Sequence, residues 1–314
     1  MTCDPSKVWC GEPRLRDDSL NLILTKACNK RCSFCFTDSY SKETEMSLEF
    51  IERVLDHFPL RTVKLLGGEP TEHSKFREIV ALLDSRRQDF SLISNMLFDE
   101  RMMDFLRLHS DMHILANAME LDKGKRVEVW RRNVEAIPTG SMAFTISEGD
   151  TIEKWETYLK FLKSNMRGLP RGVRVGLDLS GDWLLCNTVV GDIVKTIRSH
   201  FPHPRHDLYL DCQFPRCIWS FDPQELHMLD GRFVCPNPAL DVFHDGSIIY
   251  CYPASHFRLD DIFSYATVND MAKDLRLQYQ AAQRQHELPD VCKQCHHLLW
   301  WYCKGLCEGC HASK

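Results

Sequence analysis

Between residues 19 and 205, short apolar runs alternate with stretches whose apolar residues recur every three or four positions. The runs SLNLILT (19–25), RTVKLLG (61–67), FSLISN (90–95), HILANA (113–118), MAFTIS (142–147) and VRVGLDLS (173–180) have the length and aliphatic content of buried strands. The segments between them carry a helical period. In MSLEFIERVLDHF, Leu48, Ile51, Val54, Leu55 and Phe58 share one face, and FREIVALLDSRR and TIEKWETYLKFLK repeat the spacing. This alternation predicts an α/β fold with a parallel sheet, closed or partly closed, and helices outside it.

The rhythm changes after about residue 205. HFPHPRHDLYLDCQFPRC, rich in Pro and His, reads as a connection. LDVFHDGSIIYCY places two β-type runs around Asp245-Gly246 and predicts a hairpin with a type I′ turn. A helix is expected over 267–286, followed by a cysteine-dense tail. The chain thus divides into an N-terminal extension (1–18), an α/β unit (19–205) and a smaller cysteine-rich unit (206–314), without internal repeats.

Composition narrows the function classes. A formal charge of -5 gives no electrostatic reason to expect nucleic acid or an anionic membrane as partner. The basic run KGKRVEVWRR (123–132) alternates with apolar residues and reads as a solvated helix face. No stretch has the ~18 apolar residues of a membrane span, and the N-terminus has no apolar secretory segment, so a cytoplasmic location is expected. In a reducing compartment 15 cysteines, clustered and odd in number, read as metal ligands or catalytic groups before disulfides.

Three unusual segments fall at the C-terminal ends of predicted strands, where α/β folds collect their chemistry: CNKRCSFC (28–35), GGEP (67–70) and Ser94-Asn95. Cys28, Cys32 and Cys35 can hold three irons of a [4Fe–4S] cluster, which leaves the fourth iron open to a small molecule. The plainer alternative is a fragment of a zinc site or an incidental thiol group. Gly67 and Gly68 allow close backbone approach to a ligand, with carbonyls able to accept from an ammonium group, and Glu69 can add a charge-assisted bond to it.

C-x3-C-x2-C with Phe34 before its last cysteine, followed by GGEP (Gly67, Gly68, Glu69, Pro70) after the next strand, resembles the radical S-adenosylmethionine (SAM) superfamily. The resemblance implies a partial (β/α)6 barrel and a SAM molecule on the open iron of the cluster. It also implies reductive cleavage of SAM to a 5′-deoxyadenosyl radical that abstracts a substrate hydrogen. Ser94, Asn95 and Ser147 match positions that contact the sugar or carboxylate of SAM in similar proteins. Such an enzyme draws its electron from a reductant such as flavodoxin or ferredoxin.

The tail extends the resemblance. Cys235-x10-Gly246-x4-Cys251, then Cys292-x2-Cys295-x7-Cys303-x3-Cys307 and Cys310, is similar to the SPASM extension, which holds auxiliary [4Fe–4S] clusters and implies two here, with a single cluster as an alternative. That pattern implies Cys235, Cys251 and Cys307 for one cluster, completed by Cys217 or Cys212, and Cys292, Cys295, Cys303 and Cys310 for the other. Two spacings depart from it, the gap before Cys303 and the short step from Cys307 to Cys310. Cys292, Cys295, Cys307 and Cys310 would also suit a zinc site. His296, His297 and His311 read as solvated or packing residues, and Trp300 and Trp301 as an apolar cover. Cys3 and Cys10 are left over, while Cys186 is a candidate hydrogen-atom donor or else a buried core thiol.

SPASM-type enzymes act largely on peptides, which implies oxidative modification or cross-linking of a peptide side chain. Against a peptide substrate, the eighteen residues before the first strand leave no room for a fused peptide-recognition domain, although such a domain can be a separate partner protein. A sugar or aminocyclitol dehydrogenase or epimerase is the alternative. A cluster-bearing electron-transfer or sensor protein is a third class, although electron transfer needs no vacant iron.

Overall fold

The computed structural model describes residues 19–32, 35, 44–109, 112–118, 125–137, 140–147, 149–165, 172–177, 189–201, 208–210, 240–249 and 257–285. Seven parallel strands lie side by side in sequence order: β1 (Ser19–Ile23), β2 (Thr62–Leu66), β3 (Asp89–Ser94), β4 (His113–Asn117), β5 (Ser141–Ile146), β6 (Gly172–Leu177) and β7 (Leu208–Leu210). A helix follows each of the first six: α1 (Leu48–His57), α2 (Phe76–Ser85), α3 (Glu100–Arg107), α4 (Lys125–Ala136), α5 (Ile152–Asn165) and α6 (Val189–His200). Each of β1 to β6 begins within one residue of its expected start. The α/β architecture with a parallel sheet is as expected and fits a partial barrel; among the described strands β7 pairs with β6 and not back to β1.

Alternation along β1 sets the core. Leu20, Leu22 and Leu24 are fully buried and share a cluster with Ile51, Val54 and Phe58 from the α1 segment, while Asn21 faces the opposite side of the sheet. α1 starts where Ser47 accepts a hydrogen bond from the Phe50 N–H through its Oγ at 3.1 Å, with Glu49 in the first turn favouring the helix dipole. On α4, Trp130, Asn133, Val134 and Ile137 are buried whereas Arg126, Glu128 and Arg131 are exposed, so these three members of the basic run lie on a solvated helix face.

Past residue 240 the chain returns to the same sheet. β8 (Asp241–Val242) lies parallel to β1 on its free edge, with Asn21 opposite Asp241, and β9 (Ile248–Ile249) and β10 (Arg258–Leu259) add antiparallel strands beyond it. The expected hairpin is present, but its turn is not type I′. Only Gly246 has a positive φ (+84°), and its N–H donates to the Phe243 carbonyl at 3.0 Å, while the Phe243 N–H donates to the Ser247 carbonyl at 2.9 Å. This is a type I turn followed by a left-handed glycine. Asp245 keeps a negative φ because its carboxylate accepts from the Ser247 N–H and Oγ–H, at 3.1 and 2.6 Å. The C-terminal helix α7 (Val268–Gln285) starts one residue from its expected position and buries Val268, Met271, Ala272 and Leu275.

Candidate active site

The hydrogen-bond ladder between β1 and β2 does not stop where the strands end. The Leu24 N–H donates to the Leu66 carbonyl at 2.9 Å, Gly68 N–H to Thr25 at 2.8 Å and Glu69 N–H to Ala27 at 2.8 Å. A Cβ on Gly67 would lie 2.4 Å from the Thr25 carbonyl oxygen, and one on Gly68 2.3 Å from that of Ala27. Gly67 also holds a φ of +149°. Both glycines are thus required by the chain's own backbone, which comes against the segment leading into CNKRCSFC. The close approach expected toward a ligand is, first, an approach to the cysteine loop.

Glu69 follows at 1% exposure. Its Oε1 accepts from the Thr71 hydroxyl at 2.8 Å, the Ser94 hydroxyl at 2.9 Å and the Thr71 N–H at 3.4 Å; Oε2 accepts from the Asn95 N–H at 2.8 Å. Burial raises its pKa, and these four donors oppose the rise. Pro70 opens the 3-10 turn Pro70–Glu72 that Glu69 caps, a position where a missing N–H costs nothing. One carboxylate therefore ties the end of β2 to the end of β3.

The three cysteines form no disulfide and are partly buried. Burial pushes the Cys28 thiol up to about 11, with the charge of Glu69 and of the other two thiols adding to it against a backbone N–H from Lys30. Cys32 is raised by burial and by Cys35, with Lys30 opposing. Half-buried sulfurs within electrostatic reach of one another and of a carboxylate favour a bound cation that takes their protons' place. Among the described residues no three His, Cys, Asp or Glu side chains converge closely enough for one metal ion. An iron–sulfur cluster, with each thiolate on a different iron, makes no such demand. The donor set suits the cluster.

Ser94 and Asn95 enter this arrangement through the protein itself. Ser94 donates to Glu69 and accepts from the Met96 N–H at 3.0 Å. The Asn95 amide reaches Asn29 Oδ1 at 2.8 Å and Cys28 Sγ at 3.8 Å. Ser147, at the end of β5, is instead held in a turn with Asp150, whose Oδ2 accepts from its N–H at 2.9 Å. Phe34, Cys186, Cys212, Cys217, Cys235, Cys251, Cys292, Cys295, Cys303, Cys307 and Cys310 lie outside the described residues.

Three contributors escaped the sequence reading. Asn29 donates to the Leu97 carbonyl at 2.9 Å and to Glu72 Oε1 at 3.2 Å. Thr71 supplies two of the Glu69 donors. Asn133, fully buried on α4, donates to the carbonyls of Met96 and Phe98 at 2.9 and 2.8 Å. Its signal was available: it interrupts the apolar face made by Trp130, Val134 and Ile137 at helical spacing.

Residues 22–162 match the radical SAM superfamily. That match covers a little under half of the chain. The radical SAM match spans the cysteine loop, the GGEP segment and the ends of β3 to β5, and it marks the chain as an enzyme. Among curated proteins, the "Probable GTP 3′,8-cyclase" of Thermococcus kodakarensis is 35% identical over 82 residues, covering 24% of this chain and 27% of that protein. The GTP 3′,8-cyclase of Aeromonas hydrophila subsp. hydrophila is 36% identical over 72 residues, or 19% and 21% of the two. The chain thus spans about a quarter of the length of these relatives.

Two solved structures share the fold. SuiB of Streptococcus suis, bound to precursor peptide SuiA, has a TM-score of 0.53 at 12% identity, covering 74% of this chain and 59% of its own. The protein anSMEcpe with bound S-adenosylmethionine has a TM-score of 0.56 at 17% identity, covering 94% and 90%. Among the described residues no helix is long and apolar enough to cross a membrane.

Proposed function

We propose that this chain cleaves SAM reductively and uses the resulting 5′-deoxyadenosyl radical to abstract hydrogen from a peptide side chain, for oxidative modification or cross-linking. The observation that carries the SAM-cleaving part is the junction of Cys28, Cys32 and Cys35 with Gly67, Gly68 and Glu69 at one end of the parallel sheet. When bound, the cluster supplies the electron for SAM cleavage. The protein's share is to hold three thiolates and to keep the loop rigid against β2 and β3. Ser147, Pro70 and Phe34 belong to this reading as SAM-side residues, and Cys186 as hydrogen-atom donor.

The peptide reading rests on the cysteine pattern of the tail, Cys235 to Cys310 with Cys217, as ligands of two auxiliary clusters that accept the electron left after hydrogen abstraction. Flavodoxin or ferredoxin as reductant, a separate peptide-recognition protein and a cytoplasmic setting complete it. A small-molecule substrate is the second reading, favoured by the 35% identity over 82 residues to the "Probable GTP 3′,8-cyclase" of Thermococcus kodakarensis.

Anaerobic reconstitution of wild type and of the Cys28→Ala/Cys32→Ala/Cys35→Ala variant tests both parts. With dithionite as reductant, 5′-deoxyadenosine is expected from wild type and none from the variant; its persistence in the variant would sink the assignment. Iron content is expected to fall from about twelve to about eight per chain. A fall from about four to none would remove the auxiliary clusters and leave the small-molecule reading.

A further inference from the structure

We propose that Asn95 donates a hydrogen bond to the Cys28 thiolate and thereby sets the reduction potential of the cluster, instead of serving SAM. The inference rests on the reading that Cys28, Cys32 and Cys35 hold that cluster. A side-chain amide has two N–H hydrogens and one acceptor oxygen. The Asn95 Oδ1 accepts from the Leu97 N–H at 2.8 Å, a donor that fixes which end of the amide is oxygen. Nδ2 then has Asn29 Oδ1 at 2.8 Å for one hydrogen and Cys28 Sγ at 3.8 Å for the other. The backbone N–H is spent on Glu69. Every donor of Asn95 is committed, and the one that does not serve the protein's own oxygens faces a cluster sulfur.

The turn that aims this amide is built for it. Met96, the next residue, holds a φ of +60° while fully buried, a conformation that costs a methionine on the order of 1 kcal/mol. Its carbonyl and that of Phe98 both receive Asn133 Nδ2 from α4. Asn133 is a positioning residue: it acts on the cluster through Met96 and Asn95. The sense of the effect follows from charge. Reduction adds an electron that is shared with the thiolate sulfurs, and an N–H dipole pointed at sulfur stabilises the reduced form more than the oxidised one. The Lys30 N–H at 3.4 Å from the same sulfur adds to it.

The test is an EPR-monitored redox titration of the full chain, reconstituted anaerobically and without SAM. Asn95→Ala is expected to keep its iron while its reduction becomes about tenfold less favourable, a potential lower by about 60 mV. Asn95→Asp, with the same shape but no N–H, is expected to fall further. Asn133→Ala should move in the same direction, and adding Met96→Gly, which tolerates the positive φ, should recover part of the loss. A loaded Asn95→Ala protein with unchanged potential but weakened SAM binding overturns the proposal and returns Asn95 to SAM. If the variants take up no cluster, pulsed EPR on reduced wild type labelled with side-chain ¹⁵N asparagine decides: a coupled amide nitrogen is expected, and its absence overturns the inference. A wild type that holds no cluster at all would instead overturn the proposed function beneath it.

Discussion

Glu69 at 1% exposure and Asp241 at 7% are both buried acidic residues, and the chain treats them in opposite ways. Glu69 is met by four donors from the ends of β2 and β3. Asp241, on β8, accepts from Asn21 Nδ2 at 2.6 Å, and the charges of Lys64 and Arg174 act on it. Burial pushes the Asp241 carboxyl up to about 7, with Asn21, Lys64 and Arg174 opposing. Desolvation acts on both; donor number decides what each carboxylate is for. Glu69 is a fixed strut at the rim, whereas Asp241 sits on the sheet face opposite the helix-packed leucines, at the edge of ionisation.

The rim should be the less forgiving of the two. Gly68→Ala puts a methyl group against backbone, 2.3 Å from the Ala27 carbonyl oxygen, which the loop can relieve only by moving the cysteines. Loss of cluster loading and of SAM cleavage by tenfold or more is expected from iron assay and 5′-deoxyadenosine yield. The same isosteric exchange at the two carboxylates sharpens the contrast. Glu69→Gln has to turn an NH2 toward at least one of four donors and should cost about 3 kcal/mol in denaturant unfolding.

Asp241→Asn can keep its bond from Asn21 and loses only the buried charge. The folded carboxyl, with its raised pKa, binds its proton more tightly than the unfolded chain does, so wild-type stability falls as pH rises from about 4 to about 7 and levels off above. The variant should lack that fall. It should exceed wild type by about 2 kcal/mol at pH 8 and match it near pH 4, at roughly 1.4 kcal/mol per pKa unit discounted for relaxation. Equal unfolding midpoints at both pH values would erase the difference between the two carboxylates. Away from both sites, Ser47→Ala removes the α1 cap and should cost about 1 kcal/mol with no pH dependence between 5 and 8.

What was legible in the sequence follows from how many residues each feature repeats over. β1 to β6 repeat apolar residues over five or six positions and announce themselves. β8, β9 and β10 are two residues each, too short for any period, so their union with the barrel sheet was not visible. Cysteines and glycines in CNKRCSFC and GGEP marked the site because few other residue types could serve there. Its internal wiring was hidden, because Asn29, Thr71 and Asn95 meet only after three strand ends are brought together. The hairpin was placed correctly and its turn mistyped, since Asp245 reaches forward to Ser247 and holds itself out of the left-handed region.

The parallel pairing of β8 with β1 has a consequence in time. Asn21 and its partner Asp241 are separated by 220 residues, so during synthesis one edge of the first strand stays without its neighbour while the rest of the barrel is made. At the pace of translation that interval is on the order of 10–40 s. Through it the nascent chain carries an uncapped strand of four nearly solvent-excluded aliphatic or amide side chains, a surface on which a second nascent copy or a chaperone can act. Contacts of such long range are also the slowest to form. Refolding should therefore be rate-limited by arrival of the segment around residue 241, with the six helix-backed strands already in place.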